Sequence, residues 1–410
     1  MNTLIVTPYY PPVISTLANM MQELAEALID TGHNVTVATA WLPNKLSKET
    51  DHYALTSFSN ERGVSIIRVK TPFLNSENYV LRGFSQLLLP YVFWCNIRKY
   101  VKRNIDVVTV YTPPITFAML GNLVKKKFNA RLVLNVQDIF PQNAIDLGIM
   151  KNPLLIKFFE YLEMTAYRSA DKVTSHTECS LRFLVEKKGI SPDKTHLITN
   201  WIDVAPYRDA PNIDFRNRFR LEGKLIFLFA GVMGPSQGLD TLIEAARELK
   251  SVSNEICFLF VGEGTEKSRL MKMVEDYSLD NVVFKQLIPL DQYPDLVKNV
   301  DAGIVCLSSL NKTPVVPAKI LGYMAASIPV VAILQESSDG HKLIMESKCG
   351  YSIFSNGSVE DIADLFIKLY NERSILKEYG ENGLRYVSKH FTKDVCVDNM
   401  IRLLESDGHV

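Results

Sequence analysis

The apolar positions in the first forty residues change their spacing in a regular way. Residues 4–6 form a short, wholly apolar run of the kind found in buried strands. Proline-rich residues 8–16 follow, and apolar residues then recur at helical spacing from 17 to 28. Gly32 ends this helical pattern, and residues 35–38 begin another strand-like run. The pattern predicts a strand, a loop, a helix and a second strand, which together make a βαβ unit.

The same alternation recurs along the rest of the chain. It loosens once, at residues 200–216, where Pro206, Pro211 and several Asp and Asn residues indicate a linker. Strands alternating with helices indicate parallel sheets covered on both faces. We therefore predict an α/β protein with two doubly wound lobes, residues 1–205 and 206–385, and a wholly helical end from about 374. Further strands are predicted at residues 105–111, 131–136, 172–175, 225–230, 256–261, 303–306, 329–333 and 351–354.

Composition excludes several classes of protein. The 410 residues are 47% hydrophobic, which is inconsistent with wholesale disorder, and 45 basic residues balance 45 acidic ones, which argues against a nucleic-acid binder. The six cysteines form no Cys-x-x-Cys pair, so neither a metal site nor a disulfide framework is expected, and a cytoplasmic location fits. We expect no targeting segment, and the apolar runs are too short to span a bilayer.

Charge is divided unevenly between the two predicted lobes. Residues 1–205 hold 22 basic and 17 acidic side chains, whereas the remainder holds 23 and 28. Part of the basic excess directly follows the apolar run 87–94, at Arg98, Lys99, Lys102 and Arg103. Such a cluster beside apolar residues suits an anionic membrane surface. An ordinary amphipathic helix with its polar face in water explains the same pattern, and the sequence leaves both interpretations open.

Polar side chains follow several predicted strands of the first lobe. Ligands of open α/β sheets bind beyond the carboxyl ends of the strands, so these loops are candidate sites. Ser15 and Thr16 precede a helix, where they serve either a ligand or a helix cap. Gln137 and Asp138 follow the strand at 131–136, and Asp138 is either a catalytic group or a cap. His176, after the strand at 172–175, is a further polar candidate.

Glycine-rich loops follow two predicted strands of the second lobe. Residues 231–238 contain three glycines and residues 262–264 contain two, an arrangement that suits close approach to a phosphate or, alternatively, a tight turn. The first βα turn of the chain has no glycine, which argues against a dinucleotide-binding enzyme. Lys319 lies in the first turn of a predicted helix, where a cation is unfavourable unless an anion lies nearby. Lys319 either meets a pyrophosphate or is a solvated surface charge.

The ordered segments PYYPP, NVQDIFPQNAIDLGIM, ADKVTSHTE, ITNWID, GVMGPSQGLDTLIEAA, LFVGEGTEKSRL and PAKILGYMAASIPVVA cover nearly the whole chain. Together they resemble the family 4 retaining glycosyltransferases, which have the two-lobed GT-B fold. The resemblance is strongest to the branch that builds bacterial O-antigens and capsules, including the L-fucosaminyltransferases. It implies a nucleotide-sugar donor, UDP-linked, carrying an N-acetylated amino sugar. It also implies an acceptor on polyprenyl pyrophosphate, at the cytoplasmic face of the inner membrane.

The resemblance also implies roles for individual residues. The first lobe receives the acceptor, through Ser15, Thr16, Gln137 and His176, and the final helices, about 386–410, cross back onto it. Asp138, which orients the sugar, and Lys319 are the implied catalytic residues. The second lobe holds the donor, and the residues implied to line it are Gly231, Gly234, Gln237, Glu263, Arg269, Pro317, Ala318 and Ile320.

Several positions depart from the family pattern. Pro314 and Gly322 stand where many members have two glutamates, and Val232 and Gln237 stand where an Arg and a Lys commonly clamp the diphosphate. Backbone amides and Lys319 would then stabilise the leaving group, and we expect neither a metal nor a cofactor. The departures keep two alternatives open. One is a non-catalytic sugar-nucleotide-binding or scaffold subunit, and the other is a sugar-nucleotide epimerase or phosphorylase on the same fold.

Overall fold

The computed structural model describes residues 1–13, 15–41, 57–71 and 79–406, with only the backbone of 79–82 and 84. The chain divides into two compact units, of which the first joins Met1–Thr199 to Asp394–Val410 and the second is Asn200–Lys393. Both sheets are parallel, except for one antiparallel edge strand in the sheet of the first unit. Helices connect most of the strands. The α/β class and the two doubly wound lobes predicted from the sequence are confirmed.

The first unit is built on an eight-stranded sheet. Its strands lie in the order β3-β4-β2-β1-β5-β6-β7-β8, and only β3 runs antiparallel to its neighbour. Among the described residues seven helices accompany the sheet, and the apolar faces of several of them pack into one buried cluster. The strands are β1 Asn2–Thr7, β2 Asn34–Trp41, β3 Phe58–Glu61, β4 Val64–Lys70, β5 Val107–Thr112, β6 Arg131–Val136, β7 Lys172–Ser175 and β8 Thr195–Leu197. The helices are α1 Thr16–Asp30, α2 Tyr79–Tyr100, α3 Phe117–Phe128, α4 Gln142–Asp146, α5 Pro153–Ser169, α6 Glu178–Glu186 and α16 Lys393–Glu405.

The second unit is built on six parallel strands in the order β11-β10-β9-β12-β13-β14. Alternate residues of its central strands enter two separate apolar clusters, one on each face of the sheet. Burial on both faces explains why these strands are continuous apolar runs in the sequence. The strands are β9 Leu225–Ala230, β10 Ile256–Val261, β11 Val282–Lys285, β12 Ala302–Cys306, β13 Val330–Leu334 and β14 Gly350–Phe354. The helices are α7 Ala205–Arg208, α8 Phe215–Phe219, α9 Asp240–Leu249, α10 Lys267–Asp276, α11 Tyr293–Lys298, α12 Lys319–Ala325, α13 Gly340–Ser347, α14 Val359–Asn371 and α15 Leu376–His390.

The last helix, α16, belongs to the first unit although the second unit precedes it in the chain. Its buried face includes Met400 and Leu404, and the Glu405 carboxylate lies 3.1 Å from Nε2 of His33. The guanidinium of Arg131, at the start of β6, donates to the carbonyl oxygen of Leu404. These contacts fix α16 on the first unit.

The changes between units lie a few residues from the predicted boundaries. Residues 200–205 group with the second unit, and so do residues 386–393, which were predicted to cross back. The reason is that α15 packs against α12. A Cβ atom on Gly380 of α15 would lie 2.0 Å from the carbonyl oxygen of Ser327, so the two backbones touch. The return to the first unit therefore begins after α15.

Each sheet reverses its strand order at one place. In the first unit β1 lies beside β5, and in the second β9 lies beside β12, although neither pair is consecutive in the chain. Crevices at the carboxyl ends of such strands are where open α/β sheets bind ligands. The candidate residues lie in loops that follow the carboxyl ends of strands or in the helices that these loops lead into. In the part of the chain that the structure describes, no helix combines the length and apolar character needed to cross a membrane.

Candidate functional site

Three loops at the carboxyl ends of β9, β10 and β12 hold one another through backbone hydrogen bonds. Gly231 N–H donates to the carbonyl oxygen of Val261 and Met233 N–H donates to that of Glu263, each over 2.9 Å. The loop after β12 joins them, because its Ser308 N–H lies 2.9 Å from the carbonyl oxygen of Ser236, which also accepts from Asn311 Nδ2. The three loops thus form one braced surface.

The glycines of these loops are required by that contact. A Cβ atom on Gly262 would lie 2.0 Å from the carbonyl oxygen of Gly231, and Gly262 has φ +147°. A Cβ atom on Gly264 would lie 2.2 Å from the carbonyl oxygen of Met233. Side chains at either position would push the loops apart. The sequence suggested two reasons for glycine in these loops, close approach to a phosphate and a tight turn. The structure adds a third, which is close packing between the loops.

Lys319, the first residue of α12, points at this braced surface. Its Nζ donates to Oε1 of Gln237 over 2.9 Å and lies 4.0 Å from the centre of the Phe229 ring. A Cβ atom on Gly231 would lie 2.7 Å from Cε of the lysine, which could shift, but the φ of +135° at Gly231 is one that residues with a side chain rarely adopt. Lys319 is half-buried, and it is not the solvated surface charge that the sequence left open as an alternative.

The surroundings of Lys319 disfavour its positive charge. No carboxylate of the described residues lies within 4.0 Å of its Nζ, although Cys306 is close enough to interact electrostatically. Burial lowers the pKa of Lys319 to about 8, because the ammonium loses its water without gaining an anion. An anion placed against Nζ would stabilise the charged form. The group is therefore suited to bind phosphate oxygens.

The segment before α12 is held by the turn between β13 and α13, whose role the sequence does not indicate. Nε2 of Gln335 donates to the carbonyl oxygen of Thr313, and Oγ of Ser338 donates to that of Val315. Both donors are buried in the turn between β13 and α13. They hold the approach to the predicted donor segment, Pro317, Ala318 and Ile320. The side chain of Ile320 is fully buried, so only its backbone is available to a ligand.

Two predicted donor residues, Glu263 and Arg269, are already engaged by other charged groups. The Glu263 carboxylate lies 2.7 Å from Nζ of Lys267. The Arg269 guanidinium lies 2.7 Å from the Glu266 carboxylate and 3.6 Å from that of Asp240, and these contacts raise its pKa. The predicted second donor cation is therefore neutralised within its own unit. Gly234 lies in the loop beside these residues and has open space around it.

Two neighbouring strands bring Gln137 and His176 to one edge of the first unit. Val136 of β6 pairs with Ser175 of β7, and each candidate is the next residue in its strand's direction. Gln137 Nε2 donates to the Asn135 side-chain oxygen over 2.7 Å. The amide of Asn135 donates in turn to Thr174 Oγ1 over 2.9 Å. This chain of side-chain hydrogen bonds orients the polar groups at the strand ends.

Asp138 follows Gln137 and stays open to solvent. The protein that surrounds its carboxyl nevertheless raises its pKa, because nearby protein replaces part of the water that would stabilise the carboxylate. Asp138 caps no helix, since α4 begins at Gln142 and no side chain caps it. The cap alternative is therefore wrong. A solvent-facing carboxyl with a raised pKa remains at the end of β6.

The loop after β1 is mainly structural. Ser15 caps α1, because its Oγ accepts a hydrogen bond from the N–H of Ala18 over 3.0 Å, whereas Thr16 is exposed at the helix start. Tyr10 is buried in the core, which explains an aromatic residue here without a ligand. The buried Arg68 donates to the carbonyl oxygen of Pro11 over 3.0 Å. The role of Arg68 could not be predicted from the sequence, since an arginine within a strand is usually exposed.

The structure thus brings the predicted residues together in two groups, one in each unit. Gln237 and Lys319 meet in the second unit, and Gln137, Asp138 and His176 lie at adjoining strand ends of the first. Within the described ranges, no three His, Cys, Asp or Glu side chains are grouped as a metal site would need. The arrangement can bind an anionic group in one unit and present polar and carboxyl groups in the other.

Comparison with known protein families identifies both units. Residues 15–201 match the family described as glycosyl transferase 4-like domain, and residues 212–386 match glycosyl transferases group 1. The two matches together account for most of the chain. The chain belongs to the GT-B glycosyltransferases that combine these two domains.

Individual relatives support this assignment. The probable glycosyltransferase WbjE of Pseudomonas aeruginosa is 25% identical over 300 residues, which are 71% of this chain and 72% of WbjE. The putative colanic acid biosynthesis glycosyl transferase WcaI of Escherichia coli K12 is 26% identical over 335 residues, which are 77% of this chain and 79% of WcaI. The crystal structure of HepE from Anabaena in complex with UDP matches with a TM-score of 0.72 and 15% identity, covering 99% of this chain and 100% of HepE. That structural likeness shows the fold.

Proposed function

We propose that this protein transfers a sugar, an N-acetylated amino sugar, from a UDP-linked donor to a polyprenyl-pyrophosphate-linked acceptor, with retention of configuration. The product would be an intermediate in the assembly of a bacterial surface polysaccharide such as an O-antigen or capsule. The family assignment supports sugar transfer. The name of WcaI refers to colanic acid biosynthesis, and HepE was solved with UDP, which support the polysaccharide and the nucleotide respectively.

One observation carries the proposal, namely the environment of Lys319. Its Nζ lies at the braced loop surface with Gln237 as its hydrogen-bonding partner, and no described carboxylate neutralises it. A diphosphate in this place would gain the ammonium and nearby backbone N–H groups together. These groups stabilise the charge that develops on a departing nucleotide diphosphate. Positioning and leaving-group stabilisation then supply most of the catalysis.

Retention follows without a protein nucleophile. The bond between the anomeric carbon and the diphosphate oxygen breaks, an oxocarbenium-like sugar forms, and the acceptor hydroxyl attacks from the same face. A phosphate oxygen of the leaving diphosphate accepts the proton of that hydroxyl. Asp138 orients the sugar, and Gln137 and His176 with the Ser15–Thr16 turn contact the acceptor. Gly231, Gly234, Glu263 and residues 317–320 complete the donor site, together with Arg269 once it exchanges a carboxylate partner.

The experiment uses purified protein, a panel of UDP-sugars and a short-chain polyprenyl-pyrophosphate saccharide acceptor. We expect one UDP-sugar to yield a lengthened acceptor whose new linkage keeps the donor's anomeric configuration in its NMR spectrum. Lys319→Ala should lower kcat/KM at least about tenfold, since it removes a charged contact to the leaving group. Near-normal kinetics in that variant would contradict the role assigned to Lys319, and an inverted product would contradict retention.

A scaffold subunit that binds a sugar nucleotide without transferring it is the second candidate. Two observations favour it. The charge of Arg269 is neutralised by two carboxylates. Gly322 stands where many members of the resembled family have a glutamate, and a side chain there would have little room, because its Cβ atom would lie 3.2 Å from the hydroxyl of Tyr207. UDP binding without transfer to any lipid-linked acceptor would favour the scaffold. Turnover of donor without an acceptor would instead indicate an epimerase or a phosphorylase.

We also propose that transfer needs no metal and that α2 contacts the cytoplasmic face of the inner membrane. α2 exposes Tyr91 and Val92, and exposed Arg98 and Lys99 lie about two turns further on. Full activity after dialysis against EDTA would support the first point, and a strict requirement for Mg²⁺ or Mn²⁺ would refute it. Salt-sensitive flotation with anionic liposomes would support the second.

A further inference from the structure

A second apolar face, on α5, lies open at the surface of the first unit. Leu154 is 80% exposed, Phe158 42% and Tyr161 68%. Residues three and four apart lie on one side of a helix, so these three side chains form a single stripe. The adjoining Leu155 and Ile149 are also exposed, at 45% and 53%. We call these five residues the α5 patch.

Packing of the helix does not account for the α5 patch. The opposite side of α5 carries Phe159, Leu162, Ala166 and Tyr167, and these residues are buried in the core cluster of the first unit. A helix that covers a sheet needs one apolar side and normally presents polar residues on the other. Single exposed apolar residues are common, but a contiguous exposed group marks an interaction surface.

The charges around the α5 patch favour an anionic partner. Residues 146–169 contain three basic residues, Lys151, Lys157 and Arg168, and three acidic residues, of which Asp146 is half-buried and Glu163 is buried and paired with Lys188. Both lysines are exposed, and so is Arg168 near the end of α5, whereas Glu160 is half-buried. In a two-fold contact between copies of this chain, identical patches would face each other and these cations would be brought together. The headgroups of an anionic bilayer would attract them instead.

Basic residues on the neighbouring helices extend the positive charge over one side of the unit. α3 packs between α2 and α5, and its last turn carries Lys125, Lys126 and Lys127. Both α2 and α5 lead into parallel strands, so both run from the carboxyl edge of the sheet towards its amino edge. The apolar residues of α5 are therefore at the edge where Gln137 and Asp138 lie, and the basic ends of all three helices are at the other.

We propose that the α5 patch is a lipid-contact surface that inserts Leu154, Phe158 and Tyr161 into the interfacial layer of an anionic bilayer. This surface is distinct from the basic cluster of α2. Apolar side chains on one face with lysines beside them are the pattern of helices that lie in a membrane interface. The inference extends the proposed function by naming where the membrane meets the protein. Lipid binding is measured without transfer, so either proposal can fail while the other stands.

The test is flotation of the full chain with vesicles of phosphatidylethanolamine and phosphatidylglycerol. The triple variant L154S/F158S/Y161S should bind these vesicles at least about tenfold more weakly than the wild type, because it removes the inserted side chains. The matched control is Met345→Ser, which changes a side chain that is 71% exposed in the second unit. That control should bind as the wild type does, and both variants should retain the wild-type melting temperature.

Three outcomes would overturn the proposal. These are equal flotation of the wild type and the triple variant, no binding of the wild type to anionic vesicles, and a wild-type dimer in light scattering that the triple variant converts to a monomer. The last would show that a second copy covers the α5 patch. A second readout is Phe158→Trp with brominated lipids, which should quench the added fluorescence if residue 158 enters the bilayer.

Discussion

Binding of a nucleoside diphosphate should be coupled to uptake of a proton by Lys319. In the protein without ligand, burial against Phe229 and Gln237 lowers the pKa of this lysine to about 8. A diphosphate beside Nζ favours the charged amine, so the pKa rises in the complex. At pH 8 about half of the free molecules are neutral at Lys319, and binding should take up about half a proton.

The size of the effect follows from this pKa. At pH 7 about nine-tenths of the free lysine is already protonated, so affinity for UDP should change little below this pH until the terminal phosphate of UDP takes up a proton, near pH 6. Above pH 8 a growing fraction of the protein must first gain a proton, and the affinity falls. If the amine stays protonated in the complex, the fall between pH 7 and pH 9 is about tenfold, or about 1.4 kcal/mol. The affinity is therefore lost as pH rises.

Isothermal titration calorimetry with UDP measures both quantities. Titrations at pH 7, 8 and 9 give the affinity, and repeating them in two buffers with different ionisation enthalpies gives the number of protons taken up. The control is Lys319→Met, which keeps the length of the side chain without the amine and should bind weakly with no pH dependence. An equal decline of both proteins with pH, or a wild type with constant affinity, would refute the assigned role of the lysine.

Three further substitutions test the supports of the two units. Gly262→Ala should cost about 2 kcal/mol, because its Cβ would lie 2.0 Å from a backbone oxygen, and in a unit of this size that loss lowers the melting temperature by about 4–8 °C. The control Gly234→Ala, at a position with open space around it, should have little effect. Similar melting temperatures of the two variants would count against the contact between the loops. Arg68→Met should cost about 1–3 kcal/mol, because it removes the hydrogen bonds of a buried guanidinium to Ser59, Glu61 and the carbonyl oxygen of Pro11. Arg62→Met at an exposed ion pair should change stability by less than about 0.5 kcal/mol, and equal losses in urea unfolding would contradict this. Ser338→Ala should raise the donor KM by about two- to tenfold through loss of one hydrogen bond, and an unchanged KM in saturation kinetics would show that the turn does not position the donor segment.

The regular part of the fold could be predicted from hydrophobic spacing. The strands β6, β7, β9 and β10 have the predicted bounds. In β9 and β10, burial on both faces makes a continuous apolar run that polar loops interrupt sharply. The strands β3, β4, β8 and β11 were not predicted. β3, β8 and β11 lie at sheet edges, and most of their residues are exposed or half-buried, so they lack that pattern. β4 is mostly buried, but Ser65, Arg68 and Lys70 interrupt its apolar run in the sequence.

The candidate site was predicted only in its outline. The position of Lys319 at the start of a helix could be predicted from spacing, but its contact with Phe229 could not, because Phe229 has the sequence context of an ordinary strand core. Gln335 and Ser338 hold the donor segment from about twenty residues away, so local spacing carries no sign of their role. The contact between Arg269 and Asp240 could not be predicted either, since Asp240 lies on another helix.

The return of α16 to the first unit has a consequence for synthesis on the ribosome. The surface that receives Met400 and Leu404 is made early, but its cover is translated only after the whole of Asn200–Lys393. Domains generally fold as units while the chain emerges, and transiently exposed apolar surface promotes aggregation. The first unit therefore keeps an uncovered apolar surface until the second unit has been translated. Expression yield should consequently depend on translation speed through the second unit more than on the stability of either unit alone.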